Sequence, residues 1–257
     1  MLIPRVSSKL IQRLQLLDSN FEDNFTTGIL FLYTNDLYKA DFLRLTKTMK
    51  RQVSFLNVAE VFNLFPTEFD ACKTKTSYRV RGKWNYLLMI RFWFKTLFEL
   101  PQLQQYDYIM RLDDDSKLLG RWFNVFDEMR RKNAVYFAND IDVDLETQLP
   151  GTMNMKQVTS DYIKKNNIHP KQMNMLNQAF NNNTVWNYFN NFEVSKVEFF
   201  RRREVRHWVD TIDSTHGIFK YRWGDAVLRY LTMALFAESH EVLHRPAYNL
   251  PYCHKCL

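Results

Sequence analysis

Cysteine is scarce: the 257 residues hold three, Cys72, Cys253 and Cys256. So small and odd a number is no disulfide framework, although one bridge is open to it. No apolar run reaches the ~18 residues that a membrane-spanning helix needs. The opening MLIPRVSSKLIQRL carries positive charge but neither a continuous apolar core nor a small-residue cleavage site, so it does not read as a signal peptide. Internal repeats and low-complexity linkers are missing too, and a single domain over residues 1–257 is expected. The net charge of +7 invites an anionic partner. The densest basic run, Arg201–Arg203, adjoins no aromatic-and-glycine pattern of an RNA-binding module, so nucleic acid is not the expected partner.

What the chain has is apolar mass, 46% hydrophobic and 16% aromatic residues, enough for a sizeable core. GILFLYT (28–34), VSFLNV (53–58), YDYIMRL (106–112) and AVYFAND (134–140) read as buried strands. Between the first two, Leu37, Phe42, Leu43 and Met49 share one side of a helical pattern. Further helices are expected over 83–100, 120–133, near 203–213 and over 223–237. Strands alternating with helices predict βαβ units and a largely parallel sheet. Residues 141–190 are polar and rich in Asn and Met, and read as loops and short helices that shape a substrate site.

The third strand ends in three consecutive carboxylates, Asp113, Asp114 and Asp115. Like charges in a row repel, and strand pairing has no need of them. In a parallel α/β sheet, ligands bind beyond the carboxyl ends of the strands. Two carboxylates in Asp-x-Asp spacing there can share a hard divalent cation, Mn²⁺ or Mg²⁺, with diphosphate oxygens filling other positions. The bland alternative is a solvated acidic turn. Glu193, in NNFEVSK, has an aromatic and amide-rich setting, yet a lone Glu between apolar residues is also what an alternating strand turns outward. Asp225, in RWGDAVLRYL, opens a helix, where a carboxylate is favourable as a cap alone. The pair in CHKC could be half a zinc site or a redox pair, but no second CxxC or His pair completes a knuckle. Asn24 and Asn182 begin N-x-T sequons.

NNFEVSKVEFFR followed by YRWGDAVLRYLTMALF resembles the paired signature of the fungal glycolipid and glycoprotein alpha-1,2-mannosyltransferases, glycosyltransferase family 15. The family segments read approximately N-x-F-E-I-G and Y-E-R-W-G-D-A-P-V-H. Its YWRVEPDV element is similar to YIMRLDDDS, its SYRxMxRF stretch to SYRVRGKWNYLLMIRFWF, and its first helix to SKLIQRLQLLDSNFEDNF.

The resemblance implies a GT-A-type, Rossmann-like α/β fold. A nucleotide-sugar half (about 1–140) would continue into an acceptor and catalytic half (about 141–257), and a first strand expected before Ser8 is lacking. It also implies a retaining, metal-dependent transferase that moves a hexose, most directly mannose from GDP-mannose, to a glycan, glycoprotein or glycolipid acceptor. The ion would be Mn²⁺ or Mg²⁺, and the place of work the Golgi or another secretory-pathway lumen. Asp113 and Asp115 take the family's metal-binding positions, Glu193 that of the nucleophile or oxocarbenium stabiliser, and Asp225 that of the carboxylate near the acceptor. Tyr78, Arg91 and Asp114 line the donor pocket, Arg91 suiting a phosphate, and Arg222 and Trp223 border the substrate. The family's metal-binding His would fall on Leu250, which leaves His254 as the nearest imidazole, a ligand suited to Mn²⁺. Asp114 stands where the family has Pro, and Val227 likewise. A D-x-D pair is also compatible with a UDP-hexose donor. The competing class is a catalytically degenerate relative that binds glycans or organises a partner. A magnesium phosphohydrolase would leave NNFE and RWGDA without a role.

Overall fold

The computed structural model describes every residue except 4, 36, 77–82, 146, 148–150 and 257, and Lys83 apart from its side chain. Ser7 caps helix α1 (Ser8–Asn20), its hydroxyl accepting from the Leu10 N–H at 3.1 Å. Leu10, Leu14 and Leu17 form the buried stripe of that helix. Then come β1 (Phe21–Glu22), β2 (Ile29–Tyr33), α2 (Lys39–Thr48) and β3 (Val53–Asn57). β2 and β3 pair in parallel, Ile29 opposite Val53 through Tyr33 opposite Asn57, with α2 as the crossover. On α2 it is Leu45 that is buried, while Leu43 is 51% exposed, so the inward stripe is rotated from the expected one. Met1–Ile3 runs beside the other edge of β2. There Ile3 N–H donates to Leu32 C=O and Leu32 N–H to Met1 C=O, both at 2.8 Å.

After α3 (Ala59–Phe62), helix α4 (Lys83–Phe94) is shorter than expected. Pro101 disfavours a helical Leu100, whose ψ is 123°, and residues 96–103 form two 3₁₀ turns instead. β4 (Tyr108–Leu112), β5 (Ser116–Leu118) and β6 (Trp122–Phe123) follow, then α5 (Val125–Arg131) and β7 (Tyr136–Ala138). The helix expected from residue 120 starts only at Val125. Asn124 caps it, accepting from Phe126 N–H at 3.1 Å, and Trp122–Phe123 pairs in parallel with β1.

The stretch expected to be loops holds β8 (Ile141–Leu145), α6 (Asn154–Asn166), α7 (Met173–Gln178), β9 (Phe180–Asn181) and β10 (Thr184–Tyr188). The three strands form an antiparallel sheet, β8–β10–β9. Its outer strand reads IDVDL with Ile141, Val143 and Leu145 exposed, so the apolar positions that mark a core strand face outward here. The chain ends through β11 (Phe192–Lys196), α8 (Val197–Arg201), α9 (Arg203–Ser214), α10 (Gly217–Tyr221), α11 (Asp225–Phe236), β12 (Val242–His244) and β13 (Tyr252–His254).

The central sheet has the order β12–β7–β11–β4. β12 is parallel to β7, and β11 runs antiparallel between β7 and β4, so the sheet is mixed rather than parallel throughout. β11 is buried on both faces, which takes Glu193 inward with its neighbours. Helix α11 is buried on nearly every side, including Arg229 and Thr232, and packs between α4, α9 and β10. A helix so enclosed is a core element, and any charge on it must find a partner inside.

Candidate active site

β4 brings one cation to the carboxylates. Arg111, opposite Glu193 in the β4–β11 register, is 5% exposed and lies 4.3 Å from the centre of the Trp93 ring. Its Nε donates to Asp113 Oδ1 at 3.0 Å and its Nη1 to Asp225 Oδ2 at 2.6 Å. Asn190 Nδ2 also donates to Asp225 Oδ2, at 2.9 Å. Asp225 is the first residue of α11, but its carboxylate is engaged by these two groups and makes no cap bond. Burial raises the Asp113 pKa, Arg111 pulls the other way, and the charges of Asp225 and Asp115 push with burial.

Glu193, 2% exposed, sits on the far side of the same arginine, its Oε1 4.0 Å from Arg111 Nη1. It accepts from Tyr136 Oη at 2.6 Å and from Arg229 Nε at 3.1 Å. Arg229 is fully buried, packs on the rings of Phe98 and Phe200, and donates through Nη2 to Trp93 C=O at 3.0 Å. Glu193 therefore points neither to solvent nor into an open cleft. It lies in one buried charge network with Asp113 and Asp225.

The carboxyl-terminal tail closes the other side. β13 pairs antiparallel with β5, His254 opposite Ser116, and Lys255 N–H donates to Asp115 C=O at 3.1 Å. This register sets His254 Nδ1 3.1 Å from Asp115 Oδ1. Tyr252 Oη, 2.6 Å from Ser116 Oγ, also donates to Asn191 Oδ1 at 2.7 Å, which ties the tail to the loop before β11. Asp114 meets the site mainly through its backbone, its C=O accepting from Arg13, and burial and Asp115 raise its pKa against the opposing charge of Arg13.

Among the described residues no three His, Cys, Asp or Glu side chains converge closely enough to hold a metal ion by themselves. Asp115 and His254 together fit as two ligands, a hard carboxylate and an imidazole. Two suffice for an ion whose other positions are filled by phosphate oxygens and water.

The remaining expected residues lie at different distances from this centre. Arg222, in a left-handed backbone conformation (φ 59°), donates to Tyr86 Oη at 3.0 Å. Burial raises the Tyr86 pKa, and the charges of Asp225 and Arg111 reach it, so this pair borders the network. Trp223 is 1% exposed and donates through Nε1 to Gly151 C=O at 3.0 Å, which makes it part of the wall. Arg91 is not brought to the cluster: Asp213 takes its Nε and Nη2 at 2.7 and 2.8 Å, on the wall of a separate cavity of about 800 Å³. Tyr78 lies outside the described residues.

Sequence reasoning missed Arg111, Arg229, Tyr136 and Asn190. A signal existed for the arginines, since each stands inside an apolar run, YIMRL and AVLRYL. Arginine is almost never fully buried without a partner.

The model of the family "Glycolipid 2-alpha-mannosyltransferase" matches residues 5–256. The glycolipid 2-alpha-mannosyltransferase of Saccharomyces cerevisiae is 27% identical over 186 residues, 68% of this chain and 41% of that protein. Glycolipid 2-alpha-mannosyltransferase 1 of Candida albicans is 26% identical over 166 residues, 62% of this chain and 37% of the relative. The chain thus spans about two fifths of the length of the curated relatives it matches. Two solved structures share the fold. Core-mannan synthase A of Aspergillus fumigatus, in an Mn/GDP form, has a TM-score of 0.83 and 20% identity over 98% of this chain and 73% of that one. The mannosyltransferase Ktr4p of S. cerevisiae, in complex with GDP, has a TM-score of 0.84 and 21% identity over 99% and 70%. The architecture is the GT-A-like α/β fold. With its family model matched over almost the whole length, this chain belongs to the glycolipid 2-alpha-mannosyltransferase family.

Proposed function

We propose that the chain is a metal-dependent retaining glycosyltransferase that moves mannose from GDP-mannose to a glycan acceptor. The observation that carries this reading is the meeting of Asp115 and His254 across the β5–β13 pair, beside the Arg111-centred carboxylates, in a member of this family. Relatives of this fold bind Mn and GDP, so that ion and nucleotide are the first to test, with a UDP-hexose as the other donor. Bound there, a divalent ion supplies charge neutralisation for a diphosphate leaving group. Asp115 and His254 would hold it, with Asp113 supporting it from its bond to Arg111.

Asp225, 7% exposed, is the carboxylate for the acceptor hydroxyl. Glu193 acts through Arg111 and Arg229, fixing the charge and position of the first, rather than by attacking the sugar. Its carboxylate is already spent on Tyr136 and two guanidinium groups. The retained face of the sugar is then set by where the acceptor hydroxyl enters beside the departing diphosphate.

A second reading has its own support. Arg111 already bridges Asp113 and Asp225, and Arg229 seals Glu193. That is also the condition of a relative that binds nucleotide or glycan without turnover. One experiment separates the two. GDP binding is measured by calorimetry with Mn²⁺ and with EDTA, and GDP-mannose hydrolysis and transfer are measured on the same sample. Binding, hydrolysis and transfer together support the transferase. Mn²⁺-dependent GDP binding without either reaction supports the binder. Absence of GDP and UDP binding ends the transferase and leaves the glycan binder as the reading.

The compartment we propose is the Golgi or another secretory lumen. Asn24 and Asn182 of the two sequons are exposed, and Cys253 and Cys256 are paired. Among the described residues no helix is long and apolar enough to cross a membrane. Expression through a secretory host should give a glycosidase-sensitive mass at Asn24 or Asn182, and an unmodified chain would count against the assignment.

A further inference from the structure

His254 reaches Asp115 only as far as the short strand that carries it stays in register. β13 and β5 make a two-stranded sheet of their own, three residues on each side. So small a pair is marginal by itself. Leu119 N–H donates to Pro251 C=O at 3.0 Å, and Lys255 N–H to Asp115 C=O at 3.1 Å. Hydrogen-bonded and non-bonded pairs alternate along an antiparallel ladder, so Cys253 opposite Lys117 is a bonded pair and His254 opposite Ser116 is not. The main chain of His254 therefore stands outside the ladder. Its place is set by Cys253 before it and Lys255 after it.

Those two flanks are held differently. Upstream the tail is fixed several times over. Arg245 Nη1 donates to Leu250 C=O at 2.5 Å and Trp122 Nε1 to Pro251 C=O at 2.8 Å, while Tyr252 Oη is bonded to Ser116 Oγ and Asn191 Oδ1. Downstream, Lys255 makes its bond to Asp115 from a left-handed backbone, φ 55°, which a side chain with a Cβ adopts at a cost. The Cys253–Cys256 disulfide closes that turn, its α-carbons 6.1 Å apart, within the span such a bridge takes. Side chains alternate along a strand, so Cys253 is directed to the face opposite His254. The bridge thus braces the turn from behind and leaves the imidazole between Asp115, 3.1 Å from its Nδ1, and the Phe189 ring.

Given Asp115 and His254 as metal ligands, the reading on which this rests, we propose that the Cys253–Cys256 disulfide is a positioning element of the metal site. It keeps the turn after β13 closed and sets divalent-ion affinity through His254. A dithiol opens the bridge by exchange: the S–S bond breaks, each sulfur gains one electron and one proton, and the dithiol leaves as its own disulfide. Lys255 then relaxes from the left-handed conformation, its bond to Asp115 is lost, and the imidazole leaves the carboxylate. Metal affinity follows the redox state of the tail.

The test compares the oxidised parent with the double variant Cys253→Ser, Cys256→Ser, and with the parent after dithiol treatment, which serves if the variant does not fold. Calorimetry reads GDP affinity with Mn²⁺ and with EDTA. Amide exchange, with no metal added, reads Lys255 and Leu119. Opening the bridge is expected to lower the Mn²⁺-dependent GDP affinity about 10- to 100-fold, the usual effect of losing a group that orients a metal ligand. The Lys255 amide should exchange faster while the Leu119 amide, on the upstream side, does not change. In a His254→Ala background, opening the bridge should lower the affinity no further. Equal affinity of the oxidised and opened forms, or an equal further loss in the His254→Ala background, overturns the proposal while the metal site stands. An oxidised parent without Mn²⁺-dependent GDP binding ends the reading of the site, and this proposal with it.

Discussion

Arg51 and Arg111 are both 5% exposed and both sit among carboxylates, yet the carboxylates around them are in opposite conditions. Arg51 donates to Asp18 at 2.6 Å and to Asp23 at 2.9 Å. Asp23 also accepts from the Phe25 and Thr27 N–H groups, at 3.1 and 3.0 Å, and from the Thr27 hydroxyl. Burial works against its charge, but the bonds from Thr27 and Arg51 outweigh burial, and its pKa falls below the ordinary value. The Asp113 carboxylate has Arg111 alone among the described residues, and its pKa rises. The difference is the supply of N–H donors. A turn wraps its backbone around Asp23, whereas a strand end offers Asp113 only a side chain. The first carboxylate is saturated and holds a corner; the second keeps acceptor capacity for a ligand.

The strongest blow to either cluster is to remove its cation. Arg229→Met should cost about 3–5 kcal/mol in urea unfolding, because Glu193 would remain buried with Tyr136 and the more distant Arg111. Arg51→Met should cost a similar amount. Adding Glu193→Gln to Arg229→Met should recover part of the loss, since the unpaired charge goes with it. A single-variant cost near zero would show that Glu193 does not depend on Arg229.

A sharper comparison uses one substitution in both places. Asp23→Asn should destabilise by about 1.5–3 kcal/mol, the worth of hydrogen bonds to a charged group. Its stabilisation is present above the unfolded carboxyl pKa near 3.8 and is lost as pH falls through the lowered folded value. Asp113→Asn should be nearly neutral to stability, within about 0.5 kcal/mol, because burial already disfavours that charge. It should instead weaken Mn²⁺-dependent GDP binding in calorimetry. Equal destabilisation by both variants would erase the distinction drawn between the two clusters.

Asp225→Asn tests the same excess capacity at the helix end. The carboxylate makes no cap bond and is held by Arg111 and Asn190, so a purely structural role would show as lost stability with both reactions reduced alike. A carboxylate that holds the acceptor should lose transfer by about tenfold, or 1.4 kcal/mol, while Mn²⁺-dependent donor hydrolysis survives. Equal loss of both reactions, or of neither, counts against the acceptor role.

How much of this is legible in the sequence depends on how local the cause is. GILFLYT, VSFLNV, YDYIMRL and AVYFAND became β2, β3, β4 and β7, because an apolar β-rich run between turn residues is a local signal. IDVDL did not read as β8, since its apolar positions face out and only pairing with β10 makes it a strand. The direction of β11 was equally hidden, being a property of the sheet and not of FEVSK. At the site, Asp113, Asp115, Glu193 and Asp225 stood out as carboxylates in informative surroundings. The arginines that organise them did not: besides Asp113, two residues on, Arg111 has its partner Asp225 114 residues away, and Arg229 has Glu193 36 residues away. Arg91 shows the same limit from the other side: its fork is taken by Asp213, 122 residues on.

The smallest expected effect lies at β12, the edge strand of the central sheet at the end away from β4. Burial lowers the His244 pKa, and Asp140 opposes that only in part. Arg245 is 3.6 Å from Asp140, which dilutes the carboxylate's help, and the Tyr188 ring lies 6.1 Å from the imidazole. A base whose folded pKa is depressed takes its proton later in the folded chain than in the unfolded one. His244 therefore costs no stability above the unfolded value near 6.5, and stability declines as pH falls from there toward the lowered folded pKa. One such proton changes stability by at most about 1.4 kcal/mol per pH unit, and partial exposure makes the real slope smaller. Between pH 7.5 and 5.5, His244→Phe should show a flatter stability profile than the parent chain, with the two converging in shape above about pH 7. Parallel profiles over the whole range would mean that the imidazole is solvated well enough to titrate as it does in the unfolded chain.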